Sequence, residues 1–196
     1  AQRDRTAPDV MRGEETILYG LARAGTGDAR VCLPGTHAKW ARLSRGHLAG
    51  FRTMMTGEMF ALLGEASILR HTVGISDWSD DDFAAAVAEA HAAPADCLGR
   101  LFGLRAGPLL FGDAAPSGSA RLSGLLIGAE IATGMAAGDE PLCLVATGGM
   151  AERYAAALTA LGIDFDRADA EDAVRNGLFA MAARIWPERE LLETDA

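Results

Sequence analysis

A Pro-Gly-Thr-His segment at residues 34–37 separates two apolar runs and carries residue types that can bind phosphate. Gly35 lets backbone N–H groups approach an anion closely, and the hydroxyl of Thr36 adds a further donor. Lys39 comes two residues after His37, so both side chains share one face of the strand that follows. The residues alone leave two interpretations open: a phosphate-binding turn, or an ordinary hairpin loop with a solvated lysine.

A pair of carboxylates, Glu14 and Glu15, stands at the start of an expected helix. Apolar residues recur at helical spacing from residue 17 to residue 21, and Glu14 shares a helix face with Leu18. A carboxylate in this place can accept the proton of an alcohol that attacks a phosphate. The helix dipole also favours first-turn carboxylates by roughly 0.3–1 kcal/mol without any chemistry, so a structural interpretation stays open.

Three more polar residues near these segments could contact a substrate. Arg12 is always charged and can hold a carboxylate in a bidentate contact, although a surface role is equally open. Thr56 is expected to cap a short helix that ends near residue 63, with Glu58 in its first turn. Helix capping is sufficient to explain a threonine at position 56, and the helix dipole is sufficient to explain a glutamate at position 58.

A Thr-Gly-Gly turn at residues 147–149 follows an expected buried strand at 141–146 and precedes an expected helix at 150–161. Strand ends that lead into helix N-termini commonly receive nucleotides. Gly148 and Gly149 carry no side chains that would block a base or a ribose. Backbone geometry alone also accounts for glycines at such a turn.

The elements that must position these residues alternate between strands and helices. Further strands are expected at residues 30–33, 38–43, 47–53 and 163–165. A helix from residue 119 to about 137 is apolar nearly all round and is therefore expected to be buried, and Asp169 is expected to cap a last helix. Residues 74–118 are expected to be a helical insertion. This order predicts an α/β fold.

Composition excludes several classes of protein. The 196-residue chain has a formal net charge of −9, which argues against a nucleic-acid or anionic-membrane binder because both select basic surfaces. Its three cysteines, Cys32, Cys97 and Cys143, are far apart in apolar surroundings and are expected to be reduced. No apolar run reaches the roughly 20 residues that span a bilayer, and no signal peptide is visible. A cytoplasmic location is therefore expected.

Three segments, taken together and in order, resemble one enzyme family. They are residues 9–16 (Asp-Val-Met-Arg-Gly-Glu-Glu-Thr), the Pro-Gly-Thr-His segment, and residues 51–58 (Phe-Arg-Thr-Met-Met-Thr-Gly-Glu). In this order they resemble the 2-dehydro-3-deoxygalactonokinases, sugar-acid kinases of the actin-like ATPase group. The resemblance runs from about residue 8 to the last helix.

The resemblance implies an actin-like ATPase (ribonuclease H-like) lobe with a mixed sheet flanked by helices. Residues 1–196 would form the C-terminal lobe of the kinase, with residues 74–118 as a helical insertion within it. The family's N-terminal lobe opens with an Asp-Trp-Gly-Thr/Ser strand-turn that binds phosphate, and this chain contains no such element. The resemblance thus predicts that the segment is inactive by itself.

The family's activity would be transfer of the γ-phosphate of ATP, with Mg²⁺, to the 6-hydroxyl of 2-dehydro-3-deoxygalactonate. No metal ligand in this chain is implied. A homodimer is left open, as is the exact sugar epimer. The alternative is a non-catalytic actin-like sensor of nucleotide or sugar, which would be expected to lack the carboxylate found at Glu14.

The resemblance also implies roles for particular residues. Glu14 is expected to be the general base, with Glu15 as the alternative, because related carbohydrate kinases carry a Gly-Asp-Gln-Gln element at this point. The expected phosphate-binding residues are Gly35, Thr36, His37 and Lys39. The expected nucleoside contacts are Gly148 and Gly149. The expected substrate-binding residues are Arg12, Glu15, Thr56 and Glu58.

Overall fold

The computed structural model describes residues 1–73, 78–112, 116–136 and 138–186. Its helices are α1 (Glu14–Arg23), α2 (Thr56–Ala66), α3 (Asp80–Ala92), α4 (Cys97–Phe111), α5 (Gly118–Met135), α6 (Gly148–Ala160) and α7 (Ala170–Ile185). Its strands are β1 (Ala29–Leu33), β2 (Ala38–Ser44), β3 (His47–Met54), β4 (Leu142–Val145) and β5 (Phe165–Ala168). Short 3₁₀ turns at Ile68–His71 and Pro94–Asp96 connect the helices of the middle region.

The strands form one mixed sheet of five in the order β3-β2-β1-β4-β5. The first three are antiparallel neighbours, whereas β4 and β5 run parallel to β1. Cys32 pairs with Leu144, so β1 and β4 end at the same edge of the sheet. We call this the carboxyl edge: it is the edge at which β1, β4 and β5 end, and the start of β2 and the end of β3 also lie there because Ala38 pairs with Met54.

Helices cover both faces of the sheet, and β1 and β4 are therefore buried throughout. On one face, α1 and α7 pack together and bury Leu18 and Leu21 against Val31 and Leu33. On the other face, α3, α5 and α6 pack around Cys32, Trp40 and Leu144. The prediction of an α/β fold with a mixed sheet flanked by helices is confirmed.

Three local predictions were wrong. Thr56 is the first residue of α2 and Met55 holds the cap position, without a side-chain capping hydrogen bond. The helix α6 begins at Gly148, so the two glycines belong to its first turn. The last strand lies at Phe165–Ala168 and not at 163–165, because its register follows pairing with β4, in which Leu142 faces Phe165.

The middle of the chain is helical where the structure describes it. Residues 78–112 contribute α3, a 3₁₀ turn and α4, and α3 packs against α5. Residues 74–77 and 113–115 of the predicted insertion lie outside the described residues, as does Ala137, the predicted end of the long helix. That helix, α5, is buried as predicted, and the side chain of Ser117 caps its start.

Candidate phosphate and nucleotide site at the carboxyl edge

Both glycine turns lie at the carboxyl edge, on neighbouring strands. Gly35 and Thr36 lie between the end of β1 and the start of β2, while Gly148 and Gly149 follow the end of β4. Because β1 and β4 are adjacent and parallel, the two turns are neighbours in space. In open α/β sheets, ligands bind in the crevice outside the carboxyl ends of the strands.

Lys39 joins the α1 carboxylate to the turn after β1. Its Nζ lies 3.0 Å from Oε1 of Glu14 and donates a hydrogen bond of 2.8 Å to the carbonyl oxygen of His37. The side chain of Lys39 is 6% exposed and that of Glu14 is 27% exposed. One buried ammonium therefore links the expected general base to the expected phosphate turn.

Glu14 is held as a carboxylate by the groups around it. Partial burial would raise its pKa, but hydrogen bonds from backbone N–H groups and from Lys39 outweigh burial and lower the pKa below its ordinary value. One of these is the N–H of Arg12, which donates to Oε2 of Glu14 at 2.8 Å. The carboxylate of Glu15 instead accepts the N–H of Gly13 at 2.7 Å. The two glutamates are thus structurally distinct.

The start of α2 packs onto the Gly-Thr turn. The N–H of Glu58 donates to the carbonyl of Thr36 at 3.0 Å, and Oε2 of Glu58 lies 2.5 Å from Nε2 of His37. Gly57 lies so close to the turn that a Cβ there would be 2.6 Å from the carbonyl oxygen of Gly35. The turn after β1 and the first turn of α2 therefore form one packed unit.

Within the described residues, four helix N-termini lie at the carboxyl edge: those of α1, α2, α6 and α7. Their first-turn N–H groups and dipoles favour negative charge. In α6 the exposed Gly148 and Gly149 leave open space, since a Cβ built on either meets nothing within 4 Å. Gly148 has a φ of +61°, a backbone conformation that favours glycine. These features can receive an anionic ligand in a chain whose net charge is −9.

A buried carboxylate that the sequence did not single out connects elements that adjoin the two turns. Glu130 of α5 is 4% exposed and accepts hydrogen bonds from Trp40 Nε1 at 2.8 Å and from the hydroxyl of Tyr154 at 2.9 Å. The hydroxyl of Thr56 is also hydrogen-bonded to it. Trp40 adjoins Lys39, Thr56 begins α2, and Tyr154 lies in α6, so Glu130 ties together the elements that carry both turns.

The environment of Glu130 is unusual for a carboxylate. Burial raises its pKa above the ordinary value, and the hydrogen bonds from Thr56, Trp40 and Tyr154 offset burial only in part. The sequence signal that could have found it is a single acidic residue in the otherwise uncharged stretch from Leu122 to Met135.

The other expected substrate residues, Arg12 and Glu15, are exposed near the start of α1. An open cleft of about 570 Å³ lies beside Gly149, between α3 and α6. Trp78 and Arg153 line it, with the guanidinium carbon of Arg153 4.5 Å from the centroid of the indole ring. This cleft lies next to the turn that the sequence assigns to the nucleoside.

No three His, Cys, Asp or Glu side chains come together as a metal site within the described residues. At the carboxyl edge, Glu14 is paired with Lys39 and Glu58 with His37. The described part of the chain therefore brings no three such ligands together at this edge. None of its helices is long and apolar enough to cross a membrane.

Comparison with known proteins agrees with the fold, which is consistent with that of an α/β kinase. The family model described as 2-keto-3-deoxy-galactonokinase matches residues 1–181. The chain therefore belongs to the 2-keto-3-deoxy-galactonokinase family. The resemblance seen in the sequence is confirmed.

Individual relatives carry the same name. A protein of Rhizobium meliloti (strain 1021), named as a probable 2-dehydro-3-deoxygalactonokinase, is 46% identical over 193 residues, which cover 95% of this chain and 63% of that protein. The 2-dehydro-3-deoxygalactonokinase of Escherichia coli (strain K12) is 36% identical over 90% of this chain and 61% of its own length. The chain thus spans less than two thirds of these relatives.

A solved structure supports the fold directly. The crystal structure of a Sinorhizobium meliloti protein, named there as a candidate 2-dehydro-3-deoxygalactonokinase, matches with a TM-score of 0.88 at 46% identity. The match covers 95% of this chain and 64% of the solved chain. The sheet and its flanking helices therefore share the fold of that protein.

Proposed function

We propose that this chain is the C-terminal lobe of an ATP-dependent sugar-acid kinase that phosphorylates the 6-hydroxyl of 2-dehydro-3-deoxygalactonate. Membership of the family and the names of the relatives support the substrate class. The observation that carries the proposal is the link through Lys39, which lies 3.0 Å from Glu14 and donates to the carbonyl of His37 in the Gly-Thr turn. Residues 74–118 form the helical insertion of this lobe in the proposal.

Glu14 is the proposed general base. As the 6-hydroxyl oxygen attacks the γ-phosphorus in line, the bond between that phosphorus and the bridging oxygen of ADP breaks, and Glu14 takes the hydroxyl proton. Its lowered pKa keeps it ionised at neutral pH, so the carboxylate carries no proton before the reaction. Arg12, exposed one residue before Gly13, is proposed to hold the carboxylate of the sugar acid.

The nucleotide is proposed to lie along the carboxyl edge. Its phosphates would meet the turn of Gly35, Thr36 and His37, and its nucleoside would pass over Gly148 and Gly149 toward the cleft lined by Trp78 and Arg153. The open space above both glycines and the N-termini of α2 and α6 support this direction. Glu58, which contacts His37 and the carbonyl of Thr36, holds the phosphate turn in place in this arrangement, while Thr56 bonds to Glu130.

Mg²⁺ is expected to be carried by the phosphates of ATP, since the described residues gather no metal site. The relatives extend well beyond the matched region, and the first phosphate-binding element of the family is expected there. We therefore expect residues 1–196 alone to bind ATP weakly and to release no ADP.

The experiment that tests the proposal is a kinase assay of the full-length protein with ATP, Mg²⁺ and 2-dehydro-3-deoxygalactonate. ADP release that depends on the sugar acid is expected, with the phosphate located at the 6-position by ³¹P–¹H correlation in NMR. The 2-dehydro-3-deoxygluconate epimer serves as the matched control for substrate choice. Binding of the sugar acid without ADP release would instead identify a sensor.

A further inference from the structure

A carboxylate outside the site described above, that of Asp9, joins two of the segments that carry the family resemblance. Asp9 opens the segment at residues 9–16, and Thr53 lies in the segment at residues 51–58. Oδ2 of Asp9 accepts the N–H of Thr53 at 2.6 Å, and Oδ1 accepts the hydroxyl of Thr53 at 2.6 Å. Oδ1 also accepts the N–H of Val10 at 2.7 Å. One half-buried carboxylate therefore fixes three donors from two parts of the chain.

Asp9 takes the place of a neighbouring strand at one edge of the sheet. The strand β3 is an edge strand, and an edge strand presents N–H groups that no other strand pairs. Asp9 accepts the N–H of Thr53, one residue before the end of β3, and the side chain of Gln2 accepts that of Phe51 at 3.4 Å. Two backbone hydrogen bonds, of 2.7 and 3.1 Å, join Gln2 to Asp9. Residues 2–9 therefore form a closed loop that is fastened to β3, with Asp9 near the carboxyl edge.

Within the described residues, the contact between Asp9 and Thr53 is the last polar contact with another element before α1. Residues 10–13 lie in no helix or strand, and their N–H groups donate only to side chains of residues 9, 14 and 15. The helix α1 begins without a side-chain cap, directly after Gly13 at a φ of +115°. The path of the chain into α1 is thus set at one end by Asp9 and at the other by the packing of α1 on α7.

The contact of Asp9 also leads back to Glu14 through the sheet. Thr53 pairs with Lys39 of β2, and residues directly opposite in an antiparallel pair carry their side chains on the same face. Nζ of Lys39 lies 3.0 Å from Oε1 of Glu14. These contacts close a circuit on the chain itself, since Glu14 lies only five residues after Asp9.

We propose that Asp9 is a positioning residue of the kinase site. It holds the segment that enters α1 in register with the end of β3, and so keeps Glu14 against Lys39 beside the Gly-Thr turn. The inference rests on the proposed role of Glu14 as general base. Asp9 touches no reacting atom and acts through the placement of Glu14, and a displacement of about 1 Å near a reacting centre can lower a rate about 10²-fold.

The test is the kinetics of Asp9→Asn in the full-length kinase. Asparagine has one acceptor oxygen and an NH₂ group, so it cannot accept from all three donors. The kcat should fall roughly 10–10²-fold with little change in the ATP KM. Thr53→Val keeps the branched shape and the N–H but lacks the hydroxyl, so its kcat should fall in the same direction by a smaller factor. Thr53→Ser restores the hydroxyl and should restore kcat.

Asp4 provides a matched control in the same N-terminal loop. Its Oδ1 accepts the N–H of Thr6 at 2.8 Å and the hydroxyl of Thr6 at 2.7 Å, which is the same pair of donors that Thr53 offers to Asp9. Both Asp4 and Thr6 are exposed, and the described hydrogen bonds of Asp4 stay within residues 4–7. Asp4→Asn therefore removes bonds of the same kind and should leave kcat unchanged.

A double variant separates positioning from a general loss of structure. If Asp9 acts through Glu14, Asp9→Asn should have little further effect on kcat once Glu14→Gln has removed the base, because residues that act as a unit are not additive. A purely structural role would lower kcat by the same factor in both backgrounds. Amide hydrogen exchange at Thr53 should be faster in Asp9→Asn than in Asp4→Asn, which reports the contact without reference to activity.

The outcomes distinguish this inference from the proposed function. Wild-type kcat in Asp9→Asn, or equal losses in the two backgrounds, would overturn the positioning role and leave Glu14 as the base. Wild-type kcat in Glu14→Gln would overturn both. If Asp9→Asn does not fold, Thr53→Val and Thr53→Ser are compared in the two backgrounds instead, and equal kcat in these two variants would overturn the positioning role.

Discussion

Gly57 packs directly onto Gly35, so that the first turn of α2 and the Gly-Thr turn after β1 have no room between them. A Cβ on Gly57 would lie 2.6 Å from the carbonyl oxygen of Gly35 and 2.7 Å from Cα of Thr36. The contact brings the segment at residues 51–58 directly onto the Pro-Gly-Thr-His segment. The glycine of α2 permits the approach, and Glu58 then reaches His37.

Gly57→Ala should push α2 away from the phosphate turn. Overpacking of this kind costs about 1–3 kcal/mol, and the ATP KM of the full-length kinase should rise roughly tenfold. Steady-state kinetics at varied ATP would measure the effect. The matched control is Gly64→Ala in the same helix, where the new Cβ would be 3.4 Å from a Val73 methyl and should leave the ATP KM unchanged.

Gly149→Val should weaken nucleotide binding without destabilising the fold. A Cβ at residue 149 has no protein atom within 4 Å, so the isopropyl group would clash only with a ligand that passes over the turn. The ATP KM should rise at least about tenfold, while the free energy of unfolding should change by no more than about 0.5 kcal/mol. Gly27→Val provides the comparison, because Gly27 is equally open but lies in the loop before β1, at the opposite edge.

An unchanged ATP KM in Gly149→Val would show that the nucleoside does not pass over this turn. Gly148→Val is the less informative variant, because the φ of +61° at Gly148 would add backbone strain to any loss of contact.

Glu130→Gln should become more stable relative to wild type as the pH rises. Burial raises the pKa of Glu130 in the folded protein, so the folded state holds a proton that the unfolded state has released. Wild-type stability therefore falls as pH rises from about 4.3, the ordinary glutamate value, through the folded pKa. Gln carries no such proton, and the Tm of Glu130→Gln minus that of wild type should grow between pH 4.5 and pH 8.

The control for this trend is Tyr154→Phe, which removes one hydrogen bond to Glu130 but keeps the carboxylate. Its Tm difference from wild type should not grow in the same direction, because loss of a donor raises the pKa of Glu130 further. A constant difference for Glu130→Gln across the pH range would mean that Glu130 titrates normally in the folded state.

Much of the fold was predictable because its signals are local. The apolar runs of β1 and β4, the glycine turns after them and Asp169 at the start of α7 each act within a few residues. The site was predictable in part, since Gly35 and Gly148 mark turns at strand ends. Their position at one edge follows from the parallel pairing of β1 and β4.

The features of the fold and the site that could not be predicted depend on tertiary contacts. Glu130 is 90 residues from Trp40 and 24 from Tyr154, and its role exists only once α5 is packed between them. The position of β5 follows its pairing with β4, whereas residues 163–165 and 165–168 carry similar local signals. The observation that distinguishes Glu14 from Glu15, the contact between Glu14 and Lys39, likewise depends on tertiary structure.

The two glutamates in the first turn of α1 have different contacts, so different effects are expected when each contact is removed. Glu14 meets Lys39 at 3.0 Å, whereas Glu15 turns back to the N–H of Gly13. Lys39→Met should remove the ammonium that helps to lower the pKa of Glu14, so the acid limb of the pH profile of kcat should move to higher pH. An acid limb that stays in place in Lys39→Met would show that Glu14 does not set it.

Glu14→Gln should lower kcat of the full-length kinase by roughly 10²–10⁴-fold with little change in either KM, because glutamine keeps the shape and hydrogen bonding of the side chain but cannot take the proton. Glu15→Gln is the matched control and should retain kcat. If Glu15→Gln alone loses activity, Glu15 is the base. If neither variant loses activity, the glutamates at the start of α1 only stabilise the helix terminus, and the base lies elsewhere. Glu58 is then the next carboxylate at the carboxyl edge to replace.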